Sequence, residues 1–465
     1  MPDSFASSPE MELVHFIRGA NLSQVPEPTL TVVKQVLLTV CGTALAGADQ
    51  DGIAELRDVL VERAGRPEAH LIVFGDALPA LSVALLNGAM ARALDYCDAM
   101  VPGLHLGSGV VPAALAAAEL NGGCSGEEFL AALVVGMETG SRLNLTEELY
   151  DGFDPTGVAG VMGATAAAAR VCGLDETQTV HALALAFNRC GGSFQSNIDG
   201  SLAVRLINGW IASVAIECVQ YAAAGLTGPM HFLSGTYGYA HLFARGQIQA
   251  AEFVRGLTEE WHLLKMVFKK YPSCGLTQGA TELALQAVRD EGIGADEVDH
   301  VDVFVPPYSW RLVGQPFKLG PNPRVDAQFS AQSCVASAFE RKSAVLGHFE
   351  PDAIGDLMGL GILDKVASYE DETLDEIGHT ACRLVVHTID GREWTGELAV
   401  APGFPGNELE PQAHVDRFLD CWDYAKTGLP GIAATELQSV VADIETLDDA
   451  RSLLNHLLVR DRPQA

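Results

Sequence analysis

Runs of small and apolar side chains, broken by Gly, Pro, Asp and Asn, occupy the chain from Leu13 to about Ala244. A helix that is apolar on nearly all of its faces is a buried helix, and small side chains let neighbouring helices approach closely. The pattern therefore predicts a packed, all-helical domain. Its clearest predicted helices are Val33–Ala46, Ala77–Ala93, Glu127–Leu143 and Gly157–Val171.

After Lys269 the pattern changes to the alternation of apolar and polar residues that is typical of strands. Residues 300–305, 383–389 and 394–400 show it, and Asp390-Gly391 suits a tight hairpin turn between the last two. Residues 327–340 are predicted to be helical. We therefore predict a mainly α fold with an inserted α+β domain. A large all-helical domain comprises residues 1–268 and 402–465, and a smaller α+β lid domain comprises residues 269–401.

Composition narrows the class of protein. The 465-residue chain has 48% hydrophobic residues, which suits a buried core, and its length favours more than one domain. Its formal net charge of −31 would repel a phosphate backbone, so we expect no nucleic-acid partner.

The cysteine pattern and the apolar segments bear on cofactors and location. Ten cysteines are scattered singly, without a Cys/His cluster at zinc-ligand spacing, which predicts a reducing compartment and no metal or organic cofactor. The acidic, Ser-rich first ten residues lack the apolar segment of a secretory signal. The best candidate for a membrane span, residues 110–118, is too short. We expect a cytoplasmic protein with a small-molecule substrate and no membrane partner.

Four blocks of sequence, in order along the chain, resemble signatures of the MmgE/PrpD family. Residues 87–116, NGAMARALDYCDAMVPGLHLGSGVVPAALA, resemble NGxxxHxLDxDDxxxxxHPSxxxxPAALA. Residues 154–164, DPTGVAGVMGA, are similar to HPTGxxGxxGAA, and residues 200–210, GSLAVRLINGW, are similar to GSxxKRLxxGW. Residues 269–274, KKYPSC, resemble KxYPSC.

The resemblance implies a fold and a kind of chemistry. The family includes 2-methylcitrate dehydratase, cis-aconitate decarboxylase and iminodisuccinate epimerase, which move a proton beside a carboxylate without a metal or organic cofactor. It also implies an all-helical domain with a lid, a homodimer formed through the helical domain, and an active site in the interdomain cleft.

Three residues match functional positions of the family and suit this chemistry. Asp95 and His105 lie ten residues apart, and a histidine oriented by a carboxylate can take up or release a proton near neutral pH. Lys269 can stabilise the negative charge that develops beside a carboxylate. We predict these as catalytic residues. The alternatives are a helix-capping Asp95, a hydrogen-bonded core His105 and a solvated Lys269.

Several polar groups of the family are replaced here. Ala99 stands where a threonine is common, Val204 replaces a lysine, and Asp154, Ile207 and Gln278 replace histidines. A pocket with these changes is poorly suited to a tricarboxylate, because buried charges without partners are costly. We predict a larger or less charged substrate.

The substrate-binding candidates are taken from the same blocks. Arg205 survives beside the lost lysine and can grip a carboxylate with two hydrogen bonds, although a salt bridge between helices is the alternative. The predicted substrate-binding residues are Arg205, Ser201, Tyr271, Gln278 and Asp154.

We interpret the chain as a cofactor-independent lyase or isomerase: Asp95 orients His105, His105 moves the proton and Lys269 stabilises the enolate-like charge. Dehydration, decarboxylation and epimerisation share this first step. Two other hypotheses stay open: an inactive family member kept as a binding protein, and a scaffold that shapes a substrate for cyclisation or rearrangement in a biosynthetic pathway.

Overall fold

The structure is a computed structural model, and it describes residues 5–320, 322–425 and 431–458. The chain is mainly helical and forms two compact units. The first unit comprises Met1–Met266 and Cys421–Ala465, and the second comprises Val267–Asp420.

The first unit is built almost entirely of helices. It also contains the short antiparallel hairpin β1 (Ala69–His70) and β2 (Ala77–Leu78), the two-residue strand β3 (Asp98–Ala99) and a π-helical turn at Thr156–Gly160. The helices before residue 266 are α1 (Pro9–Gly19), α2 (Glu27–Gly47), α3 (Ile53–Arg63), α4 (Ala80–Arg92), α5 (Gly107–Leu120), α6 (Gly126–Leu143), α7 (Val161–Val171), α8 (Glu176–Phe187), α9 (Gln195–Ile198), α10 (Ala203–Ala223) and α11 (Tyr239–Leu242).

Glycines allow the core helices of this unit to approach closely. A Cβ at Gly47 of α2 would overlap the main-chain carbonyl of Met90 on α4. On α6, a Cβ at Gly136 would lie 2.8 Å from the carbonyl oxygen of Gly163 on α7. Because protein interiors are close-packed, no larger side chain fits at either crossing without moving a helix. The prediction of a tightly packed helical domain from small residues is confirmed for this unit.

Two predicted helices begin later than the sequence pattern indicated. The helix predicted from Ala77 starts at Ala80, because Pro79 precedes it and residues 77–78 pair as a strand. The helix predicted from Gly157 starts at Val161, after the π-helical turn, where Gly157 packs against the carbonyl of Gly191. Periodicity alone does not separate a π-helical turn from an α-helix.

Helix α2 is long and apolar enough to cross a membrane by length and composition alone. The choice of residues 110–118 as the best candidate span was therefore wrong: that segment lies in α5, which is shorter than α2. In the structure 72% of the most apolar window of α2 is buried. A core helix of a folded domain has the same composition, and α2 is packed against α4 in this way.

The second unit contains a four-stranded sheet in the order β6-β5-β7-β8. After β4 (Val267–Phe268) its strands are β5 (Val298–Val305), β6 (Val366–Glu370), β7 (Cys382–Thr388) and β8 (Glu393–Leu398). The predicted hairpin between β7 and β8 is confirmed: Gly391 has φ 87° and donates to the carbonyl of Thr388. The parallel pairing of β5 with β6 was not predicted, because such pairing links segments distant in the chain.

Helices cover one face of this sheet. The core between them includes Leu283 and Phe339 from the helices and Val301, Val303 and Leu384 from the strands. The six helices of this unit before residue 400 are α12 (Gln278–Glu291), α13 (Pro307–Val313), α14 (Pro323–Gln328), α15 (Ala331–Arg341), α16 (Pro351–Gly359) and α17 (Glu372–Asp375). The single helix predicted at 327–340 is wrong: Ser330 separates α14 from α15 and caps α15 by accepting from Ser333 N at 3.1 Å.

The chain leaves the second unit within helix α18 (Pro411–Tyr424), and helix α19 (Gly431–Ala442) follows. The second unit thus extends to Asp420, beyond the boundary at 401 taken from the sequence. Hydrogen bonds explain the difference. Phe268 N donates to Gly403 O at 2.9 Å, and Arg417 Nε donates to Lys269 O at 2.5 Å, so residues 403–417 remain attached to the start of this unit.

Candidate active site

The loop between α4 and α5 carries most of the predicted chemistry of the first unit. Asp98 anchors it: its fully buried carboxylate accepts from Leu106 N at 3.2 Å and from Gly107 N at 2.8 Å, at the start of α5. A carboxylate at this position complements the positive end of the helix. Glycine is required at position 107, because a Cβ there would overlap Asp98 Oδ1. The end of the loop is therefore firmly positioned.

His105 is held through its ring and its main chain. Ring atom Nδ1 lies 2.7 Å from the carbonyl oxygen of Asp98, and His105 N donates to Thr156 Oγ1 at 3.0 Å. The carbonyl of His105 accepts from Asn208 Nδ2 at 2.9 Å. A carbonyl can only accept, so Nδ1 carries the proton and Nε2 of the neutral ring carries the lone pair. Nε2 is thus the basic atom of this half-buried imidazole.

Nδ1 contacts the main chain of Asp98 and also lies 3.4 Å from Cys97 Sγ, and the orientation of His105 by the carboxylate of Asp95 stays a prediction. Asp95 has a left-handed backbone, with φ 54°, and its carboxylate accepts from Arg92 Nη1 at 2.6 Å. Both side chains of this ion pair are largely buried. The catalytic role of Asp95 stays a prediction.

Asp154 belongs to the same group of charges. Its side chain is buried, and Oδ1 accepts from Thr156 N at 2.8 Å. Burial raises the pKa of Asp154, while hydrogen bonds from the main chain of Thr156 and Gly157 and the charge of Arg92 oppose that rise. Burial alone would lower the pKa of Arg92, but the negative charges of Asp95 and Asp154 and the hydrogen bond to Asp95 outweigh it, and the pKa is raised. Arg92 therefore stays charged between two carboxyl groups.

The structure thus brings Asp95, His105 and Asp154 into one neighbourhood through Arg92 and Thr156. Of these five residues, sequence analysis missed Arg92 and Thr156, and it also missed Asp98. Each of the three residues occupies a position of a family motif, which could have identified it. Arg92 stands at the histidine of the NGxxxH signature, Asp98 at its last aspartate, and Thr156 inside the DPTG block.

The other predicted substrate-binding residues of the first unit lie near the start of α10. Ser201 is exposed, and Arg205 donates from Nη1 to the carbonyl of Asp51, just before α3. Arg205 therefore connects α10 to the segment before α3. This contact resembles the alternative of a salt bridge between helices, except that the acceptor is a main-chain carbonyl. Its role in substrate binding stays a prediction.

A groove of about 510 Å³ lies beside this neighbourhood within the first unit. Ile207 and Trp210 of α10 line it, together with Gly157 and Gly192. The Cδ1 atom of Ile207 would lie 3.0 Å from a Cβ at either glycine, and Gly192 also adjoins the Cβ of Asp154. The family histidine replaced by Ile207 has therefore become an apolar packing contact next to Asp154.

The predicted site residues of the second unit follow β4: Lys269 and Tyr271 precede α12, and Gln278 is its first residue. Lys269 and Tyr271 are buried. Tyr271 Oη donates to Glu282 at 2.5 Å, and Glu282 is paired with Lys270 at 2.5 Å and with Arg289 at 3.0 Å. Burial and the charge of Glu282 hold the pKa of Tyr271 far above its usual range. Tyr271 therefore keeps its proton.

Gln278 holds the Tyr-Pro-Ser-Cys segment in place. Its Oε1 accepts from Tyr271 N at 2.9 Å, and its Nε2 donates to Tyr271 O at 3.0 Å and to Ser273 Oγ at 3.2 Å. The amide is fully buried. It therefore shapes this loop, and binding of substrate by Gln278 stays a prediction, as do the roles of Lys269 and Tyr271.

Residues 11–251 match the MmgE/PrpD N-terminal domain, and residues 271–427 match the MmgE/PrpD C-terminal domain. The chain therefore belongs to the MmgE/PrpD family, which confirms the resemblance, and it is an MmgE/PrpD-type enzyme.

Its relatives include the cis-aconitate decarboxylase-like protein oryM of Aspergillus oryzae, 24% identical over 468 residues, 95% of this chain and 96% of that protein. Human cis-aconitate decarboxylase is 24% identical over 400 residues, 83% of this chain and 81% of the relative. Mouse cis-aconitate decarboxylase is 24% identical over 412 residues, which cover 85% of this chain and 80% of the mouse protein.

Proposed function

We propose that the protein is a lyase that starts its reaction by removing a proton beside a carboxylate, with His105 Nε2 as the base. The observation that carries this proposal is the 2.7 Å contact between His105 Nδ1 and the carbonyl of Asp98. The relatives named as cis-aconitate decarboxylases support the lyase class.

The surroundings of His105 suit a cycle of proton uptake and release. When Nε2 accepts a proton the ring becomes a cation, and the Asp98 carbonyl then stabilises the Nδ1–H group by a charge-assisted hydrogen bond. The contacts from Thr156 and Asn208 hold the main chain, so the ring keeps its position in both states. A base held in this way loses little free energy to reorganisation.

We propose that the substrate is a mono- or dicarboxylate with fewer charges than cis-aconitate. Arg92 is the buried cation of the His105 neighbourhood, and it already faces Asp95 at 2.6 Å and the charge of Asp154. Among the described residues around His105, the positive charge of Arg92 is already shared by two carboxyl groups, so Arg92 has no excess positive charge for a tricarboxylate. The apolar side chains of Val204 and Ile207 add none.

The test is a panel of carboxylic acids incubated with the protein in D₂O and followed by NMR. The panel contains cis-aconitate, 2-methylcitrate and unsaturated or hydroxylated mono- and dicarboxylates. We expect a mono- or dicarboxylate to lose CO₂, with one solvent deuterium in the product, or to lose water, with deuterium exchanged into the α position of the remaining substrate. We expect the two tricarboxylates to turn over slowly.

The matched variants are His105→Asn and, as a control, His181→Asn on α8. His181 is also half-buried and belongs to the same unit. The proposal requires that the first variant loses the reaction and the second keeps it. Rapid turnover of cis-aconitate would refute the charge argument, and equal turnover by both variants would refute the assignment of His105. Deuterium uptake without loss of CO₂ or water would replace the lyase by an isomerase.

A further inference from the structure

Three neighbouring strands of the second unit place polar side chains in one row on the face of the sheet opposite its core. His300 on β5 is the register partner of His387 on β7, and His387 is the partner of Glu393 on β8. Asp302 lies two residues after His300 and therefore on the same face. Register partners on adjacent strands bring their side chains within contact distance.

The ligating atoms of this cluster are close together. The two imidazole rings stack with centroids 4.1 Å apart and an interplanar angle of 14°. One ligating atom each from His300, Asp302 and His387 lies within 4.8 Å of the others, and His387 Nε2 is 3.9 Å from Asp302 Oδ2. Ligands around a tetrahedral ion with bonds near 2.1 Å are about 3.4 Å apart, so binding of an ion requires the side chains to turn and the two stacked rings to tilt towards it.

Carboxylates beside the Nδ1 atoms of both rings are a second observation that fits a metal site. His300 Nδ1 lies 2.9 Å from Asp299 Oδ2, and His387 Nδ1 lies 3.5 Å from Glu393 Oε2. A carboxylate accepts the Nδ1–H proton and leaves Nε2 as the ligating atom, which is the arrangement that usually supports a metal-bound histidine.

The sheet supplies a firm base for the cluster. Val301, Val303 and Val386 alternate with the cluster residues and are buried in the core, which holds the register of β5 and β7. The cluster side chains are half-buried or exposed, with side-chain exposures of 49% for His300 and 29% for His387. An ion can therefore reach them, and the net charge of −31 raises the local concentration of cations.

We propose that His300, His387 and Asp302 bind one divalent transition-metal ion of the Zn²⁺ type, with Asp299 and Glu393 orienting the two rings. A ligand set of two imidazoles and one carboxylate favours Zn²⁺, whereas Mg²⁺ and Ca²⁺ favour oxygen ligands alone. The ion links β5 to β7 and stabilises the sheet of the second unit. The argument for the ion uses residues of the second unit alone and does not rest on the role proposed for His105.

The test uses the full-length protein, stripped with a chelator and titrated with ZnCl₂ or MgCl₂ by calorimetry. We expect one Zn²⁺ per chain, a rise in melting temperature with Zn²⁺, and neither effect with Mg²⁺. Loss of a single ligand in His387→Ala should weaken Zn²⁺ binding at least about tenfold, and His300→Ala/His387→Ala should abolish both effects.

The control is His379→Ala, which removes a histidine that pairs with Asp375 at 3.7 Å outside the cluster. Melting curves in metal-free buffer establish that the variants are folded. All ten cysteines remain in every variant, so thiol binding would appear equally in wild type and double variant. Undiminished Zn²⁺ binding by the folded double variant, no uptake by the wild type, or Mg²⁺ binding of equal strength would each overturn the proposal.

Discussion

Replacing His105 by Asn tests the role of the basic atom Nε2 without removing the hydrogen bond that Nδ1 makes. The Nδ2 group of Asn occupies nearly the place of Nδ1 and can donate to the Asp98 carbonyl, which His105 contacts at 2.7 Å. Asn has no atom at the position of Nε2 and no basic nitrogen. The variant therefore keeps the local structure and loses the proposed proton acceptor.

The size of the effect follows from these contacts. Loss of a general base should reduce turnover by about 10² to 10⁴, or roughly 2.7 to 5.5 kcal/mol of transition-state stabilisation. The free energy of unfolding should change by less than about 1 kcal/mol, because the hydrogen bond to Asp98 is retained. His105→Ala removes that bond as well, so it should lose the same activity and about 1 kcal/mol more stability.

The assay measures steady-state turnover of the best substrate of the carboxylic acid panel, together with urea unfolding, on wild type, His105→Asn and His105→Ala. A folded Asn variant that keeps turnover within about threefold of wild type, well below the loss expected for a general base, would refute the reasoning. The scaffold hypothesis, in which the cleft shapes a substrate with little acid-base chemistry, would then be favoured.

Four further predictions concern stability, assembly and cofactors. Glu138→Gln should lower the free energy of unfolding by about 3 to 5 kcal/mol in urea, because Arg142, whose Nε lies 2.6 Å from Glu138 in a fully buried pair, would lose its counter-charge. Stability equal to wild type would show that the pair is not needed. Burial raises the pKa of Asp154 above 3.8, so wild type should lose stability relative to Asp154→Asn as the pH rises above that value. Thermal melts of both proteins over a pH series test this, and parallel curves would contradict it. Light scattering at micromolar concentration should give twice the chain mass, since the first unit exposes Leu81 and Trp210; a monomer at all dilutions would exclude a homodimer. Turnover should survive dialysis against a chelator, and recovery of lost activity by one metal ion would refute that.

The sequence by itself determined the features that depend on neighbouring residues. Runs of small and apolar side chains predicted close helix packing, which the structure shows at Gly47 and Gly136, and Asp390-Gly391 predicted the hairpin of β7 and β8. The ordered motifs were sufficient to predict the family. These signals are local, because helix periodicity and turn geometry repeat over a few residues.

Tertiary structure alone decided which polar groups meet. The sequence singled out Asp95 and His105 by their side chains, and the structure adds that the ring contacts the main-chain carbonyl of Asp98 and that Asp95 pairs with Arg92. Asp154 enters the same neighbourhood from 49 residues further along than His105, through Thr156. Main-chain carbonyls carry no sequence signal, since every residue has one. Their partners are therefore set by how the elements pack.

The cross-strand pair of His300 and His387 is a second contact that the sequence could not predict. The two residues are 87 positions apart, and each stands alone in a strand pattern that the sequence predicts correctly. Only the register of β5 against β7 places them opposite each other, and a shift of one residue would turn either side chain to the other face. Register is fixed by burial of Val301, Val303 and Val386 against the helices of the second unit. The cluster is therefore a product of core packing, which no local pattern around either histidine records.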